Sequence, residues 1–267
     1  MHVFDSPEDI IPFFNMHWAE DHYDIVALFF VYAPMMMPLN LSRYPYRSLE
    51  YGMTIDTLEL FYGDRIIGRL PVDINVNRID YHYGYRGAAF YDDIHFYGEV
   101  DTLPSIICSP MGRSKLYRNT ERISINHGKL KEILISKANA IFREKNVADT
   151  LLQKTQLLNY LPVYYNNDTI ADILGSAYIS EDFDHKYHVN LMLVSNNDDY
   201  AARYHSYLAT TDYRASWYLE FLGVYDFYGD KIPELIAFWY GCDGFGYVVL
   251  EFHEGKWEMV FIYSEIA

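Results

Sequence analysis

Cysteine is almost absent: 267 residues carry two, Cys108 and Cys242. They lack metal-ligand spacing, which argues against a cysteine-based zinc framework and leaves one disulfide or two buried thiols. Positive charge is scarce as well. Against 37 Asp and Glu stand 21 Lys and Arg, a formal net charge of −16. Nucleic acid and anionic lipid are therefore not expected as partners of the molecule as a whole. Long hydrophobic runs are missing too. The longest, Ile25 to Pro38, is too short to span a bilayer and is broken by Pro34 and Pro38; it reads as a buried strand leading into a Pro/Met loop. The opening "MHVFDSPEDI" has no basic n-region and no apolar h-region, so no signal peptide is read there. The compartment stays open, extracytoplasmic if an upstream signal was removed and cytoplasmic otherwise. Catalytic signatures are also lacking: there is no GxSxG, no Gly-rich phosphate loop before a helix, no HExxH and no CxxC.

What is present is apolar and aromatic. Hydrophobic residues make up 51% of the chain and aromatic residues 18%, including 27 Tyr, enough to build a core without staples. A Tyr ring buries apolar area and keeps one polar end, which suits both half-buried sheets and binding surfaces.

The pattern predicts an α+β, β-rich fold of mostly antiparallel sheets, with a long helical segment near 128–161 and a C-terminal β-meander. Three regions follow: a β-rich part over 1–118, a helical segment over 119–175 and an antiparallel β region over 176–267, in one or two compact domains. Ser6 and Pro7 open a short helix in "DSPEDIIPFF". The stretch Thr57 to Val76 reads as a hairpin turning at Tyr62-Gly63-Asp64-Arg65. Leu130, Leu134, Ala138 and Ile141, then Leu151, Leu152 and Leu158, recur at helical spacing, as one helix or as two broken near Asn146. A further short helix is expected in "NDTIADILGSAY", capped by Asp168 or Thr169 and stopped at Gly175. Six strands follow it, the last four forming the meander.

Charge is unevenly placed. Between Arg113 and Lys154 lie 10 Lys/Arg and 4 Asp/Glu. A basic helical segment in an acidic chain is either a solvated face or docks on carboxylates of its own body or of a neighbour.

Two constellations could carry chemistry. "EDFDHKYH" gathers Glu181, Asp182, Asp184, His185 and His188. Asp184, His185 and His188 are the candidate ligands for a divalent metal there, the alternative being a polar turn. The second is "YDFYGDKIPELI". Asp226, Asp230 and Glu234 stand at i, i+4 and i+8 around Gly229, hard oxygen donors beside a residue that permits a sharp turn. With the "GYVVLEFHEGKWEMVF" that follows, this stretch resembles the calcium-loop repeats of the FG-GAP (integrin-type, VCBS-like) family over the last 45–50 or so residues. The resemblance implies Ca²⁺ held by Asp226, Asp230 and Glu234, with the Ile232 carbonyl as a fourth ligand. Tyr228 stands where the family has an Asn or Asp ligand, and Lys231 replaces a Gly; both weaken such a site. "FYGDRI" at Phe61 to Ile66 nearly repeats "FYGDKI" at Phe227 to Ile232. The earlier copy lacks the flanking acids, so the shared core is turn chemistry, and a plain Asp-Gly turn is the alternative to a bound cation.

Function is therefore expected to be non-catalytic. The reading is an interaction protein with an acidic, Tyr-rich surface and a protein partner, a basic one by charge complementarity. It would be an inhibitor or immunity-type protein, or an extracytoplasmic adhesion or recognition protein. The alternatives are a metal-dependent hydrolase using the 181–188 cluster and a carbohydrate-binding module using Trp217, Trp239 and Trp257.

Overall fold

The structure is a computed structural model. It describes residues 11–32, 35–38, 54–63, 65–75, 86–98, 103, 105–111, 125–165, 170–182, 185–196, 199–211, 218–227, 232–241 and 244–266. The short helix expected at Ser6 lies outside them. Strands dominate, all in antiparallel sheets, and the chain divides into two compact units. One comprises 1–118 with 226–232, the other 119–225 with 233–267.

The first unit is one eight-stranded sheet. Its strands are β1 (Ile11–Ala19), β2 (His22–Tyr32), β3 (Met35–Pro38), β4 (Thr54–Tyr62), β5 (Arg65–Asn75), β6 (Arg86–Phe90), β7 (His95–Phe96) and β8 (Ser105–Pro110). They run in the order β3-β2-β1-β8-β4-β5-β7, and β6 also pairs with β2. The Pro/Met loop expected after β2 is in fact strand β3, because Met35–Pro38 pairs with Phe29–Tyr32. The β4–β5 hairpin turns where the sequence indicates: Tyr62 pairs with Arg65 and Gly63 has φ +70°, as a two-residue turn of this hand requires.

Pairing at the two ends forces the sheet to curl. Phe90 of β6 pairs with His22, and His95 of β7 pairs with Arg69. Laid flat, six strand spacings would separate β6 from β7 by about 29 Å. The five residue steps from Phe90 to His95 reach about 18 Å at most. The sheet therefore rolls over a core of Phe14, Met16, Tyr23, Leu58, Leu60, Ile106 and Cys108, and a 3-10 turn at Tyr91–Asp93 crosses the seam. Gly68 permits the crossing, since a Cβ there would sit 2.7 Å from the His95 carbonyl oxygen.

The second unit opens with α1 (His127–Glu144) and the single turn α2 (Asp149–Leu152). The long helical segment expected over 128–161 ends early, and the cause is local. Asn146 is left-handed, φ +63°. Val147 N donates to Phe142 O and Asn146 N to Arg143 O, both at 2.9 Å, the paired bonds of a Schellman stop. Thr155 closes α2 by donating to Leu152 O, 2.9 Å.

Four strands follow, β9 (Gln156–Val163), β10 (Asp172–Ser180), β11 (Lys186–Asn196) and β12 (Asp199–Thr210), then the meander β13 (Tyr218–Tyr225), β14 (Glu234–Gly241), β15 (Gly244–His253) and β16 (Lys256–Ile266). Two four-stranded sheets result, β12-β11-β10-β9 and β13-β14-β15-β16. The short helix expected in "NDTIADILGSAY" is thus strand β10. Helix α1 lays Leu130, Leu134, Ala138 and Phe142 on one face of the first of these sheets, against Ile173, Ala177, Val189 and Leu191. On the other face β13, an edge strand, is held by side chains. Ser176 Oγ donates to Leu219 O. The Asn159 amide accepts from Phe221 N at 3.1 Å and donates to Phe221 O at 3.3 Å. Edge groups that would otherwise template another strand are satisfied in this way.

Several of the Tyr residues are core material, with Tyr23, Tyr164 and Tyr225 among the largest fully buried side chains; Tyr91 and Tyr97 are exposed.

Candidate functional site

The 181–188 cluster is the tip of the β10–β11 hairpin, whose last pair is Ser180 with Lys186. Glu181, Asp182 and His185 are engaged within the hairpin tip. Asp182 accepts from His185 N at 2.8 Å, and its carboxylate lies 2.8 Å from His185 Nδ1. Glu181 accepts from Tyr187 Oη at 2.9 Å. His185 is exposed. His188 is 4% exposed and stacks on Tyr178, ring centres 6.0 Å apart. The reason is periodicity: residues 186 onward are strand, so His188 faces inward while His185 stays on the turn. Burial, with Lys186 as a smaller cause, lowers the His188 pKa to about 4. That ring is neutral at neutral pH. Asp184 lies outside the described residues.

In the 226–234 stretch, Asp226 is 6% exposed, Glu234 3% and Ile232 47%. Glu234 is the first residue of β14 and the register partner of Tyr225. Asp230 and its neighbours 228–231 lie outside the described residues. Tyr165, beyond the end of β9, has its phenol pKa raised, first by burial and also by the charges of Asp172 and Glu234, against a lowering by Arg203. Asp172 is fully buried and accepts from Tyr165 N at 2.8 Å and Ser195 N at 2.7 Å; it fastens the loop before β10 to β11. Among the described residues no three His, Cys, Asp or Glu gather as a metal-binding group.

Cys108 is a free thiol in the core of the first unit, and burial drives its pKa far above the usual range. It is poorly suited to nucleophilic work. Cys242 and Trp217 lie outside the described residues, and Trp239 and Trp257 are half-buried.

One feature of the first unit has no counterpart in the sequence reading. At the seam, where β6 stays with β2 and β7 with β5, an open cavity of about 410 Å³ remains. Ile25, Leu70, Val72 and Ala89 contribute its apolar part, and Asp73, Asp92, Asp93 and His95 its polar part. All four polar residues are exposed. The adjacent acids in "FYDDIHF" are visible in the sequence. That they and Asp73 line one cavity depends on the curl of the sheet, which no local pattern encodes. No helix among the described residues is long and apolar enough to cross a membrane. Against family models, curated proteins and solved structures the chain finds no match, so its functional reading rests on the residues just described.

Proposed function

We propose that this is a non-catalytic α+β binding protein that docks a basic protein partner on acidic, Tyr-bearing surface, as an inhibitor or immunity-type protein or an extracytoplasmic recognition protein would. The observation that carries this reading is where negative charge is left uncompensated. The first 110 residues hold 16 Asp/Glu, six Arg and no Lys. In the second unit, cations of α1 meet carboxylates of the same unit: Lys137 lies 3.0 Å from Asp199 and Arg143 3.1 Å from Asp149. The basic helix thus spends charge on its own unit, yet an acidic surplus remains in both units, a net of −8 in each. Such a surplus speeds encounter with a basic surface and rejects an acidic one.

The test is affinity capture at low ionic strength, followed by reconstitution from purified components. Recovery of a protein of high pI that rebinds in pure form, with submicromolar affinity, is the expected result. Recovery of neutral or acidic binders alone counts against the reading. Stoichiometric zinc or manganese in the purified protein would favour the metal-dependent hydrolase instead.

The FG-GAP-type loop enters this reading as a brace. Ca²⁺ on Asp226, Asp230, Glu234 and the Ile232 carbonyl would tie the turn between β13 and β14. The burial of Asp226 and Glu234 supports it, and Tyr228 and Lys231 set the affinity low. Calorimetry with calcium chloride should give a Kd of about 10⁻⁴–10⁻³ M, abolished by Asp226→Asn. Titration without heat or a shift in Tm would remove calcium from the proposal.

A further inference from the structure

The outer face of the β2–β6 pair sets exposed aromatic surface among charges of one sign. Residues directly opposite each other in an antiparallel pair share a face. His22 opposes Phe90 and Asp24 opposes Ala88; across the other side of β2 the same two residues oppose Ala19 and His17. The intervening Tyr23, Ile25 and Ala89 are buried, so strand alternation turns the first set outward. Phe90 is accordingly 57% exposed, its ring centre 6.0 Å from that of His22, and Ala88 beside it is too small to cover it. Tyr91 follows at the start of the 3-10 turn, also exposed, its ring 5.3 Å from that of Phe96. Glu20 and Asp21 at the β1–β2 turn, Asp24 on β2, and Asp92 and Asp93 in the 3-10 turn are all exposed. Residues 11–32 and 87–98 hold these five acids and no Lys or Arg. His22 engages two of them, Asp21 at 2.8 Å and Asp24 at 3.1 Å. Glu20, Asp92 and Asp93 make no ion pair or hydrogen bond with a described residue.

We propose that the basic partner docks on this face, with Phe90 and Tyr91 as the apolar centre of the contact and the five acids as its rim. The partner surface that fits is an apolar patch ringed by Lys and Arg. This rests on the protein-partner reading above and names the surface it uses. Interfaces are commonly built in this way, with aromatic anchors at the centre and polar groups around them. The sign of the rim selects the occupant. A second copy of this chain brings a net charge of −16 and the same five acids, and like-charge repulsion opposes that pairing. A neutral apolar surface would desolvate the carboxylates and give them no partner.

The experiment has two arms, both on the full chain. In the first, the isotope-labelled protein is titrated with acetyl-Arg-Leu-Arg-Leu-Arg amide and followed by NMR, beside counterparts with Ser for Leu and with Glu for Arg. Saturable shifts are expected at the amides of residues 19–24 and 88–93, weaker with the Ser peptide and absent with the Glu peptide. Equal binding of the Glu peptide, shifts confined to other surfaces or no shift at all would each overturn the proposal. In the second, the high-pI protein recovered by the capture test is measured by surface plasmon resonance. Phe90→Ser/Tyr91→Ser should raise its dissociation rate about tenfold or more. Asp92→Asn/Asp93→Asn should lower its association rate about twofold or more at low salt. Melting should not change in either variant, and Phe90→Tyr should bind as the native chain does. Met259→Ser/Val260→Ser, in the exposed β15–β16 hairpin of the second unit, should alter neither rate. If the hairpin variant loses binding and the Phe90 variant keeps it, the surface is misassigned and the partner reading stands. If no basic protein is recovered, both fall. Self-association in the ultracentrifuge that Phe90→Ser abolishes would give the face to a second copy and end the proposal.

Discussion

At the scale of the residue, two histidines pull stability in opposite directions as pH changes. His188 is buried, and its folded pKa of about 4 lies below the ordinary 6.5. Folding therefore favours the neutral ring. Its contribution is complete above pH 6.5 and is lost as pH falls through that value toward 4, by about 3 kcal/mol at most. His22 is the reverse case. Its pKa is raised, chiefly by the hydrogen bond to Asp21 at 2.8 Å, so its contribution is present at low pH and fades as pH rises. Its exposure keeps the effect small. Urea denaturation at pH 7 and pH 5 should show a larger loss on acidification for the native chain than for His188→Phe, which preserves the stack on Tyr178. Equal losses would mean that His188 titrates normally. The sequence placed His188 in a ligand-rich stretch and the strand placed it inside; the pattern could not tell turn from strand three residues apart.

At the scale of the element, β10 shows how packing overrides local preference. "NDTIADILGSAY" carries caps and a stop suited to a short helix, yet residues 172–177 are all buried. A strand covered on both faces reads as a continuous apolar run, and a short run of that kind does not distinguish helix from strand. Gly175, taken from sequence as a stop, is a close approach: a Cβ there would lie 2.9 Å from Asn159 O and would run into the Leu134 side chain of α1. Gly175→Ala is expected to destabilise by about 1–3 kcal/mol. Adding Leu134→Ala should give a double variant less destabilised than the sum of the single changes, because the two side chains contest one volume. Additive losses in chemical denaturation would show that the helix is not what Gly175 accommodates. By contrast Asn146, where a helix break was legible, is the observed stop, since its short polar side chain tolerates the left-handed turn.

At the scale of the whole molecule, the charge of −16 predicts the kinetics of any basic partner more firmly than its affinity. The association rate constant should fall by about tenfold or more between roughly 10 mM and 150 mM salt, as the screening length shortens from about 30 Å to 8 Å, with dissociation changing little. A salt-independent association rate in stopped flow would remove electrostatic steering. Composition, strand periodicity, hairpin turns such as Tyr62–Arg65 and the uneven charge are all local or additive properties, and the sequence by itself determined them. The tertiary structure alone decided that a strand follows at Gln156, that His185 and His188 part company, and that Asp73, Asp92 and Asp93 line one cavity at the seam. Each depends on groups distant in the chain competing for one interior, and only the curled sheet and the packed helix settle that competition.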